Sequence, residues 1–272
     1  MTPLVRALAM LVALATPFAV SAQKFEPQVG QAGKDVIWVP TPDEVVDRML
    51  TMAQVGPNDF HMDLGSGDGK IVIAAAKRGA KALGIEYNPE MVKLATDNAQ
   101  KAGVGDKASF RRADIFQTDF SQATVITLYL LPALNMKLRP QLLAMKPGTR
   151  IVSHSFTMED WEADEISTMD GRRAYFWLVP ANVMGTWTLE AAGTKTDLTL
   201  EQTFQKLNGT LAIHGVQGGL REARLRGAQI AFAFVDDKGV RRDFTGQVNG
   251  RQMQGTFHDE KGQSGNWSAA KK

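Results

Sequence analysis

Apolar and polar positions recur at two different periods along this chain, and the change of period divides it. From about residue 41 to residue 156, short apolar runs alternate with stretches that carry an apolar stripe at helical spacing. Thr41 reads as a helix N-cap, with Pro42 at the first helical position, Asp43 and Glu44 in the first turn, and Val45, Val46, Met49 and Leu50 as the stripe. Phe60 to Leu64 predicts a strand that runs into glycines. Ile71 to Arg78 predicts an Ala-rich helix, Ala82 to Glu86 a second strand, and Pro89 to Ala102 a helix stopped by Gly103. Strands follow over Ala108 to Arg112 and Ala123 to Leu130. A helix over Leu134 to Met145 then ends in the turn Lys146-Pro147-Gly148, and a fifth strand covers Arg150 to Phe156. Strands separated by helices imply right-handed crossovers, hence an α/β, Rossmann-like, doubly wound and mainly parallel sheet.

After about residue 185 the helical period disappears. Gly185-Thr186-Trp187-Thr188-Leu189 opens a series of short alternating strands, and Asn208-Gly209, Lys238-Gly239 and Asn249-Gly250 read as hairpin turns. Gly209-Thr210-Leu211, Gly246-Gln247-Val248 and Gly255-Thr256-Phe257 look like loosely repeated strand starts. Residues 185–272 are therefore expected to form a small all-β antiparallel domain, a sandwich or barrel, after an α/β domain over residues 23–184. Trp187, Phe204, Phe232, Phe234, Phe244, Phe257 and Trp267 are assigned to its core.

The beginning of the chain obeys neither pattern. Arg6 precedes an apolar run from Ala7 to Val20, and Val20-Ser21-Ala22 offers small residues before Gln23. Those three features are those of a secretory signal peptide over residues 1–22, with the remainder exported, most simply to a periplasm. If the signal is uncleaved, it becomes a membrane anchor. Residues 23–40 read as irregular. The absence of cysteine excludes a disulfide framework, a cysteine zinc site and a thiol nucleophile. No histidine has metal-ligand spacing, so no metal is expected. A formal net charge of +2 provides no electrostatic footprint for nucleic acid.

The chemistry is concentrated where the first strand turns into a helix, at Asp63-Leu64-Gly65-Ser66-Gly67-Asp68-Gly69-Lys70. Glycines at 65, 67 and 69 let a ligand approach the backbone, and the next helix directs free N–H groups at it. The dinucleotide pattern requires glycine where Lys70 stands, and no Gly-Lys-Ser/Thr follows to make a nucleoside triphosphate loop. An acid, Asp63, precedes the first glycine instead. S-adenosylmethionine (SAM) carries an ammonium and a sulfonium, which suit carboxylates better than a phosphate cradle does. Glu86, about 20 residues after the turn, can accept from both ribose hydroxyls. Asp114, at the end of the third strand, can accept from an adenine amine. Three acids at three successive strand ends share one rim.

Val39-Pro40-Thr41-Pro42, Asp63 to Lys70, Gly84-Ile85-Glu86-Tyr87-Asn88 and Thr127-Leu128-Tyr129-Leu130-Leu131-Pro132 carry a resemblance. Residues 38–156 resemble class I, seven-strand SAM-dependent methyltransferases. They resemble in particular the branch that holds mitochondrial protein-lysine methyltransferases and their bacterial relatives. The resemblance implies SAM as cofactor, Ser66, Asp68, Tyr87 and Asn88 beside it, and lysine as methyl acceptor. Tyr129, at the end of the fourth strand, is the candidate catalytic residue, either as a hydrogen-bonding aromatic wall or as a packing residue. Trp38, Thr41 and Pro42 form a candidate lid, and His154 is either a base or a buried structural histidine. Three readings stay open. The acceptor is protein lysine, for instance on an envelope or membrane protein; or it is a small molecule or lipid; or the chain is a non-catalytic SAM-binding envelope module.

Overall fold

The computed structural model describes residues 25–213 and 216–272. The signal assigned to residues 1–22 lies outside them. The first domain contains helices α1 (Asp43–Met52), α2 (Lys70–Lys77), α3 (Pro89–Lys101) and α4 (Pro132–Leu143). They alternate with strands β1 (Phe60–Leu64), β2 (Lys81–Glu86), β3 (Ala108–Arg112), β4 (Val125–Leu128) and β5 (Arg150–His154). These five strands are parallel, in the order β3-β2-β1-β4-β5. The strand order reverses between β1 and β4, and this opens a crevice at their carboxyl ends. On one face of the sheet Val125 and Val152 pack with Val72 and Ala75 of α2 and with α1; on the other Met62, Leu64, Ile126 and Ile151 pack with Leu138 and Leu142 of α4.

Two strands close the sheet where the sequence pattern predicts nothing. They are β6 (Glu165–Met169) and β7 (Arg172–Leu178), in the order β5-β7-β6, with β7 antiparallel to β5. β7 is buried from Ala174 to Trp177, so it shows no alternation, and β6 is an exposed edge strand with little apolar content. Helix α1 also begins differently from its expectation. Pro42 is its N-cap and no side chain caps it, because the Thr41 hydroxyl is engaged elsewhere.

The remaining strands are β8 (Gly185–Ala191), β9 (Thr194–Thr203), β10 (Lys206–Ile213), β11 (Val216–Gly219), β12 (Arg221–Arg226), β13 (Gln229–Val235), β14 (Arg241–Asn249), β15 (Gln252–Asp259) and β16 (Ser264–Lys271). Each pairs antiparallel with the next, except that β11 and β12 both pair with β10 as one interrupted strand. β16 returns to pair with β8. The result is a closed up-and-down barrel, which leaves no free edge, and not a sandwich. Asn208-Gly209 is not a turn: both residues lie inside β10, and the β9–β10 reversal occurs at Phe204-Gln205, where Phe204 takes a positive φ. Gly246 and Gly255 are not strand starts but face each other across β14 and β15. A Cβ on Gly255 would lie 1.9 Å from the Thr245 carbonyl, and one on Gly246 would strike Trp267. These glycines are places where strands crowd, which periodicity cannot report.

Phe204 does not join the barrel core. It packs on the apolar cluster of the α/β domain, stacked 6.0 Å from Trp161 and under the Arg139 guanidinium. Beside it Lys206 pairs with Glu162 at 2.6 Å, and the Ala181 amide donates to the Gly227 carbonyl. The barrel is thus seated by one end against the α/β domain. Among the described residues no helix is long and apolar enough to cross a membrane.

Candidate functional site

The Gly65–Gly69 turn leaves the end of β1, and β2 and β4 flank it by register: Asp63 lies opposite Gly84 on one side and Thr127 on the other. The amides of Gly65 and Ser66 both donate to the Ile85 carbonyl, and the Gly67 amide donates to Glu86 Oε2 at 3.0 Å. Glu86 and the glycine turn are therefore joined directly. Glu86 Oε1 accepts from the Asn88 amide, so each carboxylate oxygen is oriented by one N–H and keeps acceptor capacity. Gly67 has φ +54°, and a Cβ there would lie 2.8 Å from Trp38 Nε1; the indole closes down on the turn. Gly84 leaves room for the Ser66 side chain, which a Cβ would meet at 2.5 Å.

These elements enclose a cavity of about 710 Å³. Trp38, Thr41, Asp63, Gly65, Ser66, Gly67, Asp68, Glu86, Tyr87, Asn88, Asp114 and Tyr129 all line it. Gly69 does not. It has φ +85° as the N-cap of α2, and a Cβ would collide with Phe110 and Ala95; it serves the packing of α3 and β3. The Asn88 side chain is occupied as the N-cap of α3, accepting from the Glu90 amide at 2.9 Å. Asp114 is held by Lys34, whose Nζ lies 2.7 Å from Oδ2, and this bond keeps the carboxyl below its usual range.

The electrostatics centre on Asp63. Its side chain is buried and burial pushes its carboxyl up to about 7, against the opposing bond from Thr127. Glu86 and Asp68 add to the rise. Tyr129, which also lines the cavity, has its ring 4.0 Å from that of His154 and 6.1 Å from that of Phe156. His154 Nδ1 is 3.3 Å from the Thr41 hydroxyl. Burial, with Arg172 nearby, lowers its imidazole to about 4, so it is neutral at physiological pH.

Sequence patterning misses one wall. Lys34, Ile37, Met91, Leu131 and Phe156 also line the cavity. The stretch from Gln31 to Thr41 folds over the glycine turn through Trp38 N–H to the Gln31 carbonyl and Gly30 N–H to the Trp38 carbonyl. It has no regular period, so only the Val39-Pro40-Thr41-Pro42 motif marks it in the sequence. Ile37, Tyr87 and Leu131 are exposed at the cavity's rim.

A carboxylate-lined crevice at this switch point, without a phosphate loop, is shaped for a cationic nucleoside. The model of the ANTKMT methyltransferase domain matches residues 63–165. A protein-lysine N-methyltransferase of Saccharolobus islandicus is 46% identical over 134 residues, which cover 48% of this chain and 83% of the relative. A lysine N-methyltransferase of Mus musculus, named for an ATP synthase component, is 32% identical over 209 residues, covering 70% of this chain and 80% of the relative. The chain belongs to this methyltransferase family. It is a SAM-dependent methyltransferase with the class I seven-strand fold. A crystal structure described as an RNA methyltransferase from Salinibacter ruber, in complex with S-adenosyl-L-homocysteine, is 50% identical, with a TM-score of 0.52. It covers 53% of this chain and 96% of its own. In the present chain the methyltransferase fold is followed by the barrel of β8 to β16.

Proposed function

We propose that this methyltransferase transfers the methyl group of SAM to the side-chain amine of lysine in a protein, on an envelope or membrane protein reached after export. The observation that carries the reading is the meeting of Asp63, Glu86 and the glycine turn in one cavity whose rim is apolar. Asp63 would hold the cofactor's ammonium, Glu86 its ribose hydroxyls and Asp114 its adenine amine, with Gly65, Ser66, Gly67 and Asp68 along the backbone. When bound, SAM supplies an electrophilic methyl group on a sulfonium.

The chain's own task is alignment and exclusion of water. Trp38 and Thr41 would close one side, and Tyr129 and Phe156 form an aromatic wall on another. A lysine amine attacks only when neutral, although its free pKa is about 10.4. An apolar, aromatic surround favours the neutral amine, and ring faces attract its methylated cation. Tyr129 is the residue placed to do both. His154 does not line the cavity and is not needed as a base.

The relatives named for lysine support a protein acceptor, and the exposed Ile37, Val39 and Leu131 at the cavity suit an acceptor whose flanks are apolar. An RNA acceptor is disfavoured by the lining itself. Asp35, Asp68, Glu86 and Asp114 outnumber Lys34 and Lys70 there, and phosphates would meet net negative charge. The basic start, the apolar run Ala7 to Val20 and the small residues before Gln23 support export.

Full-length protein incubated with methyl-labelled SAM and fractionated membranes tests the acceptor. Label on protein, with methylated lysine found by mass spectrometry, is expected; label confined to the organic phase or to RNA overturns the lysine reading. N-terminal sequencing of the mature protein from cell fractions tests export, with a start at Gln23 expected.

A further inference from the structure

A buried polar file runs from the cavity into the sheet, and methyl transfer makes no direct use of its far end. His61 and Asp63 are two apart on β1 and project to the same face, and Thr127 stands opposite Asp63 on β4. The Thr127 hydroxyl donates to Asp63 Oδ1 at 2.6 Å, and His61 Nε2 lies 2.8 Å from the same hydroxyl oxygen. Threonine has a single hydroxyl proton. Since Asp63 receives it, the second bond must run from His61 Nε2–H to the threonine oxygen. That fixes the tautomer and leaves Nδ1 as a bare acceptor, buried and without a partner.

His61 and Thr127 are fully buried, among Val125, Val152 and the apolar side chains under α2. Burying such groups is costly, and apolar side chains of like size would fill the space at least as stably. The file therefore needs a reason other than stability. Its cavity end is Asp63, the carboxylate read above as the ligand of the cofactor's ammonium. We propose that His61 and Thr127 are positioning residues for cofactor binding. They occupy Asp63 Oδ1 with a fixed donor, leave the other oxygen for the ligand's ammonium, and ease ionisation of the carboxyl as that cation arrives. The proposal rests on the assignment of Asp63 as a cofactor ligand.

The charges facing Asp63 are Glu86 from β2 and Asp68 from the turn, both of which oppose its ionisation. The Thr127 bond is what acts in its favour. His61 brings no charge, since burial lowers its imidazole to about 3; the Asp59 carboxylate, which opposes that fall, is itself paired with Arg150. The imidazole acts by polarising and aiming the threonine hydroxyl.

Calorimetric titration of the full-length protein with SAM between pH 6 and 9 tests this. In the unaltered protein, affinity is expected to weaken below about pH 7, approaching tenfold per pH unit. Thr127→Val should move that midpoint upward by about one unit and weaken binding by about fivefold at pH 7, approaching about tenfold at pH 6. Thr127→Ser should restore both. His61→Leu should act in the same direction, and His61→Gln, which keeps a donor near the Nε2 position, should restore most of the loss. A folded Thr127→Val with the original affinity and pH midpoint overturns the proposal. Should that variant fail to fold, the His61→Leu and His61→Gln pair decides in the same way. Asp63→Asn is the control. If it binds SAM undiminished, the assignment of the cavity fails. If it abolishes binding while the Thr127 and His61 variants change nothing, only the role of the file fails.

Discussion

At the scale of single residues the site is governed by where charge is buried. The Asp63 carboxyl keeps its proton up to about pH 7 in the fold, whereas in the unfolded chain it loses it near 3.9. Below the lower value this difference favours the folded state, and the benefit is lost as pH rises through 7. Asp63→Asn removes the ionisation. The ligand-free variant is expected to gain up to a few kcal/mol at pH 8 relative to the unaltered protein, while losing SAM binding. Thermal melts at pH 5 and pH 8 check this, and an equal change at both values would contradict it. Glu86→Ala removes the acceptor that fixes the Gly67 amide, and should weaken SAM binding by about 2 kcal/mol, read by calorimetry. Gly67→Ala forces a Cβ to 2.8 Å from Trp38 Nε1 and strains a positive φ. Its expected effect is an opened lid and lower cofactor affinity, visible as greater solvent exposure in Trp38 fluorescence.

At the scale of elements, β1, β2 and β4 matter because their carboxyl ends carry Asp63, Glu86 and Tyr129 to one rim. The strand–helix alternation makes those three elements legible, since each strand is a buried apolar run bounded by turn residues. The antiparallel β6–β7 pair is not legible, because β7 is buried on both faces and β6 at the edge is nearly unpatterned. In the barrel, local turn chemistry at Asn208-Gly209 is overridden by pairing: β10 continues through it because β9 offers an unbroken ladder from Leu198 to Thr203. Gly255→Val is expected to break the β14–β15 ladder, since its Cβ would overlap the Thr245 carbonyl. A lower midpoint of unfolding in denaturant would report it; an unchanged midpoint would show that the ladder can yield.

At the scale of the molecule, the barrel's docking end couples two cores through Phe204 on Trp161 and Lys206 on Glu162. Phe204→Ala should cost about 3 kcal/mol and separate one cooperative unfolding transition into two, seen by calorimetry. A single unshifted transition would mean the contact adds nothing. The period of apolar positions determined the fold class, and the composition of the Asp63–Lys70 turn marked the candidate cofactor crevice, because each is a local property written in consecutive residues. Tertiary structure alone decided that Phe204 leaves its own barrel, that Thr41 bonds His154 instead of capping a helix, and that Lys34 reaches Asp114. It also decided that His61, Thr127 and Asp63 form one file. These contacts join residues far apart in the chain, and their energies depend on burial and register that no local pattern encodes.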